Sequence, residues 1–222
     1  MENDKLNQLK LYIDSNHTSP YAMFAYIVLR EKGISFETTQ INVREKHHLV
    51  PTYQKLSLTG KVPILVHGDF ALAESSAIIE YLEEAFPAPD YPRVLPQAMH
   101  QRARARQLQA WIRSDLLALK ADRPSTVIFD QPVSSPLSEA GRVDAEKLVR
   151  VAESLIRDEG STLFDAWSIV DTELALTLNR LVANGDTVPE KVKRYVKKQW
   201  ERPSVQEWLK GVEADRVARL KG

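Results

Sequence analysis

The chain has 222 residues, 43% of them apolar and 27% charged, which suits one or two domains with a real core. Thirty basic residues balance 30 acidic ones, so neither nucleic acid nor an anionic membrane has global electrostatic support as a partner. There is no cysteine, which excludes disulfides, thiolate metal sites and a protein-borne thiol nucleophile; any sulfur chemistry must come from a ligand.

The polar start Met1-Glu2-Asn3-Asp4-Lys5, with no long apolar segment after it, sets the expectation of a cytoplasmic chain without signal peptide or membrane span. Leu9-Lys10-Leu11-Tyr12-Ile13 alternates like a half-buried strand. His17-Thr18-Ser19-Pro20 reads as a loop entering a helix, with Ser19 as N-cap and Pro20 in the first turn. Phe24, Ile27, Val28 and Leu29 supply the apolar face of that helix, and Gly33 its stop. Phe36 to Val43 alternates as a second strand, and His47 to Leu56 reads as a short helix. Ile64-Leu65-Val66 and Phe70-Ala71-Leu72 flank His67-Gly68-Asp69 as a hairpin, and Ser75 to Ala85 is helical. Strand, helix, strand, helix, strand, strand, helix makes a small mixed α/β sheet.

From Pro87 to Pro96 four prolines in ten residues end that pattern, so a domain boundary is placed there. The expected division is 1–86 as an α/β domain, 87–97 as a proline-rich linker and 98–222 as an all-α domain. Ala98 to Lys120 is expected as one long helix with Leu108, Trp111, Ile112, Asp115, Leu116 and Leu119 near one face. Arg123 to Leu137, with three prolines, reads as a loop, and Ser138 to Asp158 as a second long helix. Ser168-Ile169-Val170-Asp171 resembles a capping box with Asp in the usual Glu or Gln place. Pro189 starts a further helix and Ser204 to Val212 a last one.

Two segments carry chemistry. In Gly60-Lys61-Val62-Pro63-Ile64-Leu65 a proline heads an apolar strand, where it fits only a strand start, edge or bulge. One reading is a cis peptide that turns the Val62 backbone toward a ligand. Glu74-Ser75 opens a helix, and a hydroxyl with free N–H groups at a helix start suits an anion. Together they suggest a pocket for a small peptide-like acid. His47-His48 is no metal pair, because adjacent helical positions diverge and no third ligand is evident. Arg102, Arg104 and Arg106 spread around a helix and form no nucleic-acid stripe.

Ser19-Pro20-Tyr21, Gly60 to Leu65, Glu74-Ser75-Ser76-Ala77-Ile78 and Ser168 to Asp171, in this order across a proline-rich linker, resemble the glutathione S-transferase superfamily over nearly the whole chain. Ser-Pro-Tyr is similar to a bacterial branch whose catalytic residue is serine. The resemblance implies a thioredoxin-like α/β domain followed by an all-helical domain, a homodimer, no metal, and roles in detoxification and oxidative stress. It implies glutathione as cosubstrate, with a small electrophile or peroxide as second substrate.

It further implies that Ser19 donates to the glutathione thiolate, with Thr18 and Ser15 as backups. Val62 and Pro63 would present backbone groups to the cysteinyl part, Glu74 and Ser75 would hold the γ-glutamyl end, and Lys61 and His48 would meet the glycyl carboxylate. Tyr21, Trp111, Ser114 and Asp115 would line a second-substrate pocket, with Arg123-Pro124 at its rim. Plain structural roles stay open: Ser19 as a cap, Pro63 as a strand start, Trp111 as core. A non-catalytic binding or scaffold relative, a storage protein and a glutathione-dependent isomerase remain alternatives.

Overall fold

The structure, a computed structural model, describes residues 8–43, 45–157 and 161–221. It divides into two compact units, Met1–Arg93 with Glu207–Gly222, and Val94–Gln206.

In the first unit β1 (Leu9–Asp14) leads to α1 (Pro20–Glu31) and to β2 (Glu37–Ile41), which lies parallel to β1. A short 3-10 turn (His47–Leu49) and α2 (Pro51–Gln54) follow, where one short helix was expected. β3 (Ile64–His67) and β4 (Phe70–Ala73) form the expected hairpin, turning at Gly68 with φ 58°, and α3 (Ser75–Ala85) comes next. The four-stranded order is β2-β1-β3-β4, with β3 antiparallel to both neighbours. This is the thioredoxin-like α/β arrangement expected from the sequence. Leu9, Leu11 and Ile13 are buried, as the alternation requires, and α1 buries Phe24, Ile27, Val28 and Leu29. Gly33, at φ 68°, ends that helix in the left-handed conformation that glycine adopts without strain. Buried Lys32 beside it donates to the carbonyls of Phe86 at 2.9 Å and Pro92 at 3.0 Å and pairs with Glu83 at 2.8 Å, so the proline-rich segment is tied down.

The second unit is helical throughout its regular elements: α4 (Met99–Ser114), α5 (Leu117–Asp122), α6 (Thr126–Phe129), α7 (Glu139–Leu155), α8 (Ile169–Val182) and α9 (Glu190–Trp200). The single helix expected over 98–120 breaks at Asp115-Leu116. The Asp115 carboxylate accepts from the Leu116 N–H at 2.8 Å and Leu116 turns left-handed at φ 62°, so a local side-chain bond outcompetes the helix ladder. Lys120 then caps the carbonyls of Ile112 at 2.6 Å and Asp115 at 2.8 Å. Asp144 receives the Ala118 and Leu119 N–H groups at the start of α5. The expected loop at 123–137 contains α6. The second long helix stops at Leu155, and Asp158, its expected end, lies outside the described residues.

α8 is buried on every side from Ile169 to Leu181, which makes it the axis on which α4, α6, α7 and α9 pack. Its charges are therefore all engaged. Glu173 accepts from Gln109 at 2.9 Å and Arg113 at 2.6 Å, and Arg180 donates to the Arg123 carbonyl at 2.6 Å. The capping box is present: Asp171 takes the Ser168 N–H at 2.9 Å, the Leu163 N–H at 2.7 Å and the Tyr195 hydroxyl at 3.1 Å. Burial pushes its carboxyl above the usual range against the pull of those three donors and of the Ser168 hydroxyl at 3.2 Å.

The last helix, α10 (Pro203–Lys221), is longer than the expected 204–212. From Glu207 onward it belongs to the first unit, whereas the sequence placed all of 98–222 in one helical domain. The cause is side-chain chemistry: Trp208 packs on Tyr26 with ring centroids 5.3 Å apart, and Arg30 pairs with Glu207. Asp171→Ala orphans two backbone N–H groups and a phenol, at about 1–3 kcal/mol each, so a loss of at least about 3 kcal/mol is expected in denaturant unfolding; a loss below about 0.5 kcal/mol contradicts this account.

Candidate functional site

The sheet register decides which loops meet. Tyr12 pairs with Ile64 and Ile64 with Ala73, so one row crosses β1, β3 and β4. Beyond that row β1 runs into the loop carrying Ser19, β3 is preceded by Lys61-Val62-Pro63, and β4 runs into Glu74-Ser75. The three sequence-predicted segments therefore leave one end of the sheet. Parallel β2 ends there too, since Asp14 pairs with Ile41, and leads toward His48. From β1 to β4 is two interstrand spacings, about 10 Å.

The first loop is fixed by Asp14. This buried residue ends β1, and its carboxylate accepts the Thr18 N–H at 2.7 Å, the Thr18 hydroxyl at 3.0 Å and the Ser19 N–H at 3.1 Å. Ser19 is the N-cap of α1, and its hydroxyl accepts from the Ala22 N–H at 3.3 Å. A hydroxyl that accepts keeps its own hydrogen to donate. Capping and donation to an anion are thus compatible at one oxygen. The sequence reading missed Asp14, although an Asp closing a strand four residues before a Thr is a recognisable loop-pinning signal.

The Val62–Pro63 peptide is cis. Val62 lies beyond the paired segment of β3, a central strand, so its position is a strand start and not the sheet edge that sequence allowed. Tyr53 and Ser57 donate hydroxyls to the Lys61 carbonyl at 3.0 and 3.3 Å and so hold this segment; neither was singled out in the sequence. Burial pushes the Tyr53 phenol well up, which keeps it a neutral donor. The Lys61 side chain is exposed. His48 is half-buried, and its Nδ1 has no hydrogen-bond partner among the described residues.

Glu74 is exposed and has φ 71° and ψ 113°, a sparsely populated conformation for a residue with a Cβ. Holding it costs on the order of 1–3 kcal/mol, and such strain clusters at functional sites. Ser75, at the head of α3, is buried. Tyr21, one residue into α1, is exposed, with an edge contact to Phe24.

The other pocket candidates lie in the second unit. Trp111 is half-buried and gives its indole N–H to Asp115 at 2.7 Å; Ser114 is exposed and donates to the Ala110 carbonyl at 2.9 Å. Asp115 also pairs with Lys147. That pair, with the Leu116 N–H and the Trp111 indole, pulls its carboxyl down to about 2. Arg123, placed at a pocket rim by sequence, is buried and forms a bidentate pair with Asp186 at 2.7 and 2.8 Å. Among the described residues no group of three or more metal-ligating side chains occurs. No described helix is long and apolar enough to cross a membrane.

Family models match both parts of the chain: glutathione S-transferase N-terminal domain over residues 15–90 and C-terminal domain over residues 98–213. The chain belongs to the glutathione S-transferase family. A Burkholderia BGR1 glutathione transferase homolog, solved with bound glutathione, is 46% identical with a TM-score of 0.79, covering 94% of this chain and 100% of that one. Mouse glutathione S-transferase theta-3 is 27% identical over 93% of this chain and 83% of its own length. Carnation (Dianthus caryophyllus) glutathione S-transferase 1 is 41% identical, but the match spans only 46% of this chain and 44% of that protein. Within the family fold, the three loops above belong to the part matched by the N-terminal model.

A carboxyl depressed from 3.8 to about 2 contributes stability that is present above pH 3.8 and lost as pH falls through about 2. Thermal midpoints of wild type and Asp115→Asn are therefore expected to differ at pH 5 and to converge near pH 2; a constant gap contradicts the assignment.

Proposed function

We propose that this chain is a glutathione transferase that holds glutathione along the β1–β3–β4 end of its sheet and stabilises the thiolate with Ser19. One observation carries the reading: a single register row brings a helix-capping hydroxyl, a strand start and a strained helix start to one sheet end. An extended tripeptide is roughly 10 Å long, which matches the separation of the outer two strands.

On this reading Val62 and Pro63 offer backbone groups to the cysteinyl part. The Ser75 helix start receives the γ-glutamyl carboxylate, and Glu74 its ammonium. Lys61 and the His48 ring face the glycyl carboxylate, and the unpartnered His48 Nδ1 supports that role. A free thiol near pKa 8.5 is only about 3% thiolate at pH 7. A shift of about two units requires roughly 2.7 kcal/mol. A hydroxyl bond to a charged sulfur supplies about 1.5–3 kcal/mol, and the α1 N-terminus about 0.3–1. Ser19 is then a donor to the thiolate and not a nucleophile.

The bound thiolate attacks an electrophile by displacement or addition, or reduces a peroxide. Lacking cysteine, the protein forms no mixed disulfide of its own. Trp111, Ser114 and Asp115, all in the second unit, are proposed to meet the second substrate. A serine-branch assignment, a homodimer and a cytoplasmic location belong to the same reading.

Titration calorimetry with glutathione tests it first: saturable binding is expected, and none at millimolar concentration removes the reading. Ser19→Ala should lower turnover about ten- to a hundredfold with little change in glutathione affinity. Full activity in that variant moves the role to Thr18, Ser15 or a backbone N–H. Binding without turnover against several electrophiles and peroxides favours a non-catalytic binding module.

A further inference from the structure

Thr18 and Ser19 are held from below by Asp14, but the residues just before them are held from elsewhere. His17 has φ 52°, a left-handed backbone at a bulky residue. Its surroundings over-determine that conformation. The Trp208 indole donates to the His17 carbonyl at 3.0 Å, and the Trp208 ring meets the imidazole edge-on, with centroids 4.7 Å apart. Nδ1 lies 2.5 Å from an Asp215 carboxylate oxygen. Gln40, at the end of β2, donates to the same carboxylate at 3.2 Å. The other side of the ring lies over Gly211, where a Cβ would stand 2.8 Å from Nε2 and 2.9 Å from Cδ2. Arg219 donates to Asn16, the next residue back, at 2.5 Å.

Trp208, Gly211, Asp215 and Arg219 are spaced three or four apart and so share one face of α10. That face meets the Asn16–His17 turn, two residues before Ser19, with an indole, a gap for a ring, a carboxylate and a guanidinium in matching order. A helix that merely covered the sheet would have no need of a glycine in its interior, the poorest helix former after proline. The glycine is explained by the imidazole that occupies its missing side chain.

We propose that His17 is a positioning residue: clamped in α10 by Trp208, Gly211 and Asp215, it fixes the turn that presents the Ser19 hydroxyl. The inference rests on the thiolate-stabilising role of Ser19 proposed above. The hydroxyl bond to sulfur is directional, and misplacement by about 1 Å can cost a hundredfold in rate. Asp14 fixes the backbone of residues 18 and 19 from the strand side. The α10 clamp fixes residues 16 and 17 from the other, so the turn has no direction left in which to relax.

The test is the ultraviolet thiolate band of glutathione bound to the full-length protein, titrated against pH. Gly211→Ala improves the helix propensity of α10 and pushes against the ring. It should raise the pKa of the bound thiol by about one unit, which is tenfold less thiolate at a given pH, and lower kcat several-fold. Glutathione affinity should stay within about threefold. Glu207→Gln, which loosens the same helix at the Arg30 pair, should leave the bound thiol unchanged. A rise in Ser19→Ala but none in Gly211→Ala overturns the positioning role alone. No rise in Ser19→Ala removes the reading on which it rests, and an equal rise in Glu207→Gln shows general loosening and overturns the specific role of His17. Should Gly211→Ala fail to fold, Asp215→Asn is read by the same band and decides the matter in the same way.

Discussion

The first unit depends on one buried carboxylate. Asp14 sits where β1 must stop and α1 must begin, and three donors from Thr18 and Ser19 converge on it. A buried carboxylate left without donors costs several kcal/mol, so the loop has no cheap alternative to this conformation. The same bonds set the entry angle of α1, because Ser19 is both held by Asp14 and the cap of that helix. Strand end, loop and helix start thus share one set of hydrogen bonds, and a change at Asp14 would be felt at all three.

What the loop is fixed against is the sheet. β3 runs antiparallel to β1, and this alone brings the start of one beside the end of the other. β4 returns antiparallel again, so its end joins them. Had any of these strands run the opposite way, Ser19, Val62 and Glu74 would lie at different ends of the sheet. The second unit solves a different problem. Its axis α8 carries Asp171, Glu173 and Arg180 as buried residues, and each finds partners on another segment. Removing one partner there strands a charge, which ties the helices to one arrangement.

Much of this was legible because it is local. Alternation at Leu9 to Ile13, the cap and proline at Ser19-Pro20, the turn at Gly68 and the box at Ser168 to Asp171 are each set by neighbours in sequence, and each is present. Positions governed by distant partners were not legible. Periodicity carried one helix through Asp115, because nothing in the pattern shows Asp115 turning its carboxylate onto the next N–H. Arg123 read as a rim residue, since its partner Asp186 lies 63 positions away. The reach of α10 into the first unit was hidden for the same reason: His17 and Asp215 are 198 positions apart. Of the candidate site, the residue types were readable, and so was the local support Asp14, while Tyr53 and Ser57, which hold the Lys61 carbonyl, carry no such signal.

The absence of cysteine shapes the chemistry more than any residue present. On the proposed reading the reactive sulfur arrives with the ligand, so the protein has no nucleophile to build and no mixed disulfide to resolve. Its task reduces to making one anion more stable than its acid, by a few kcal/mol at most. A hydroxyl and a helix end together reach that amount only if both point at the sulfur at once. Neither has strength to spare, so a small angular error loses most of the effect. That explains why so much of the first unit, a buried aspartate on one side and a tailored helix face on the other, is directed at a turn of five residues.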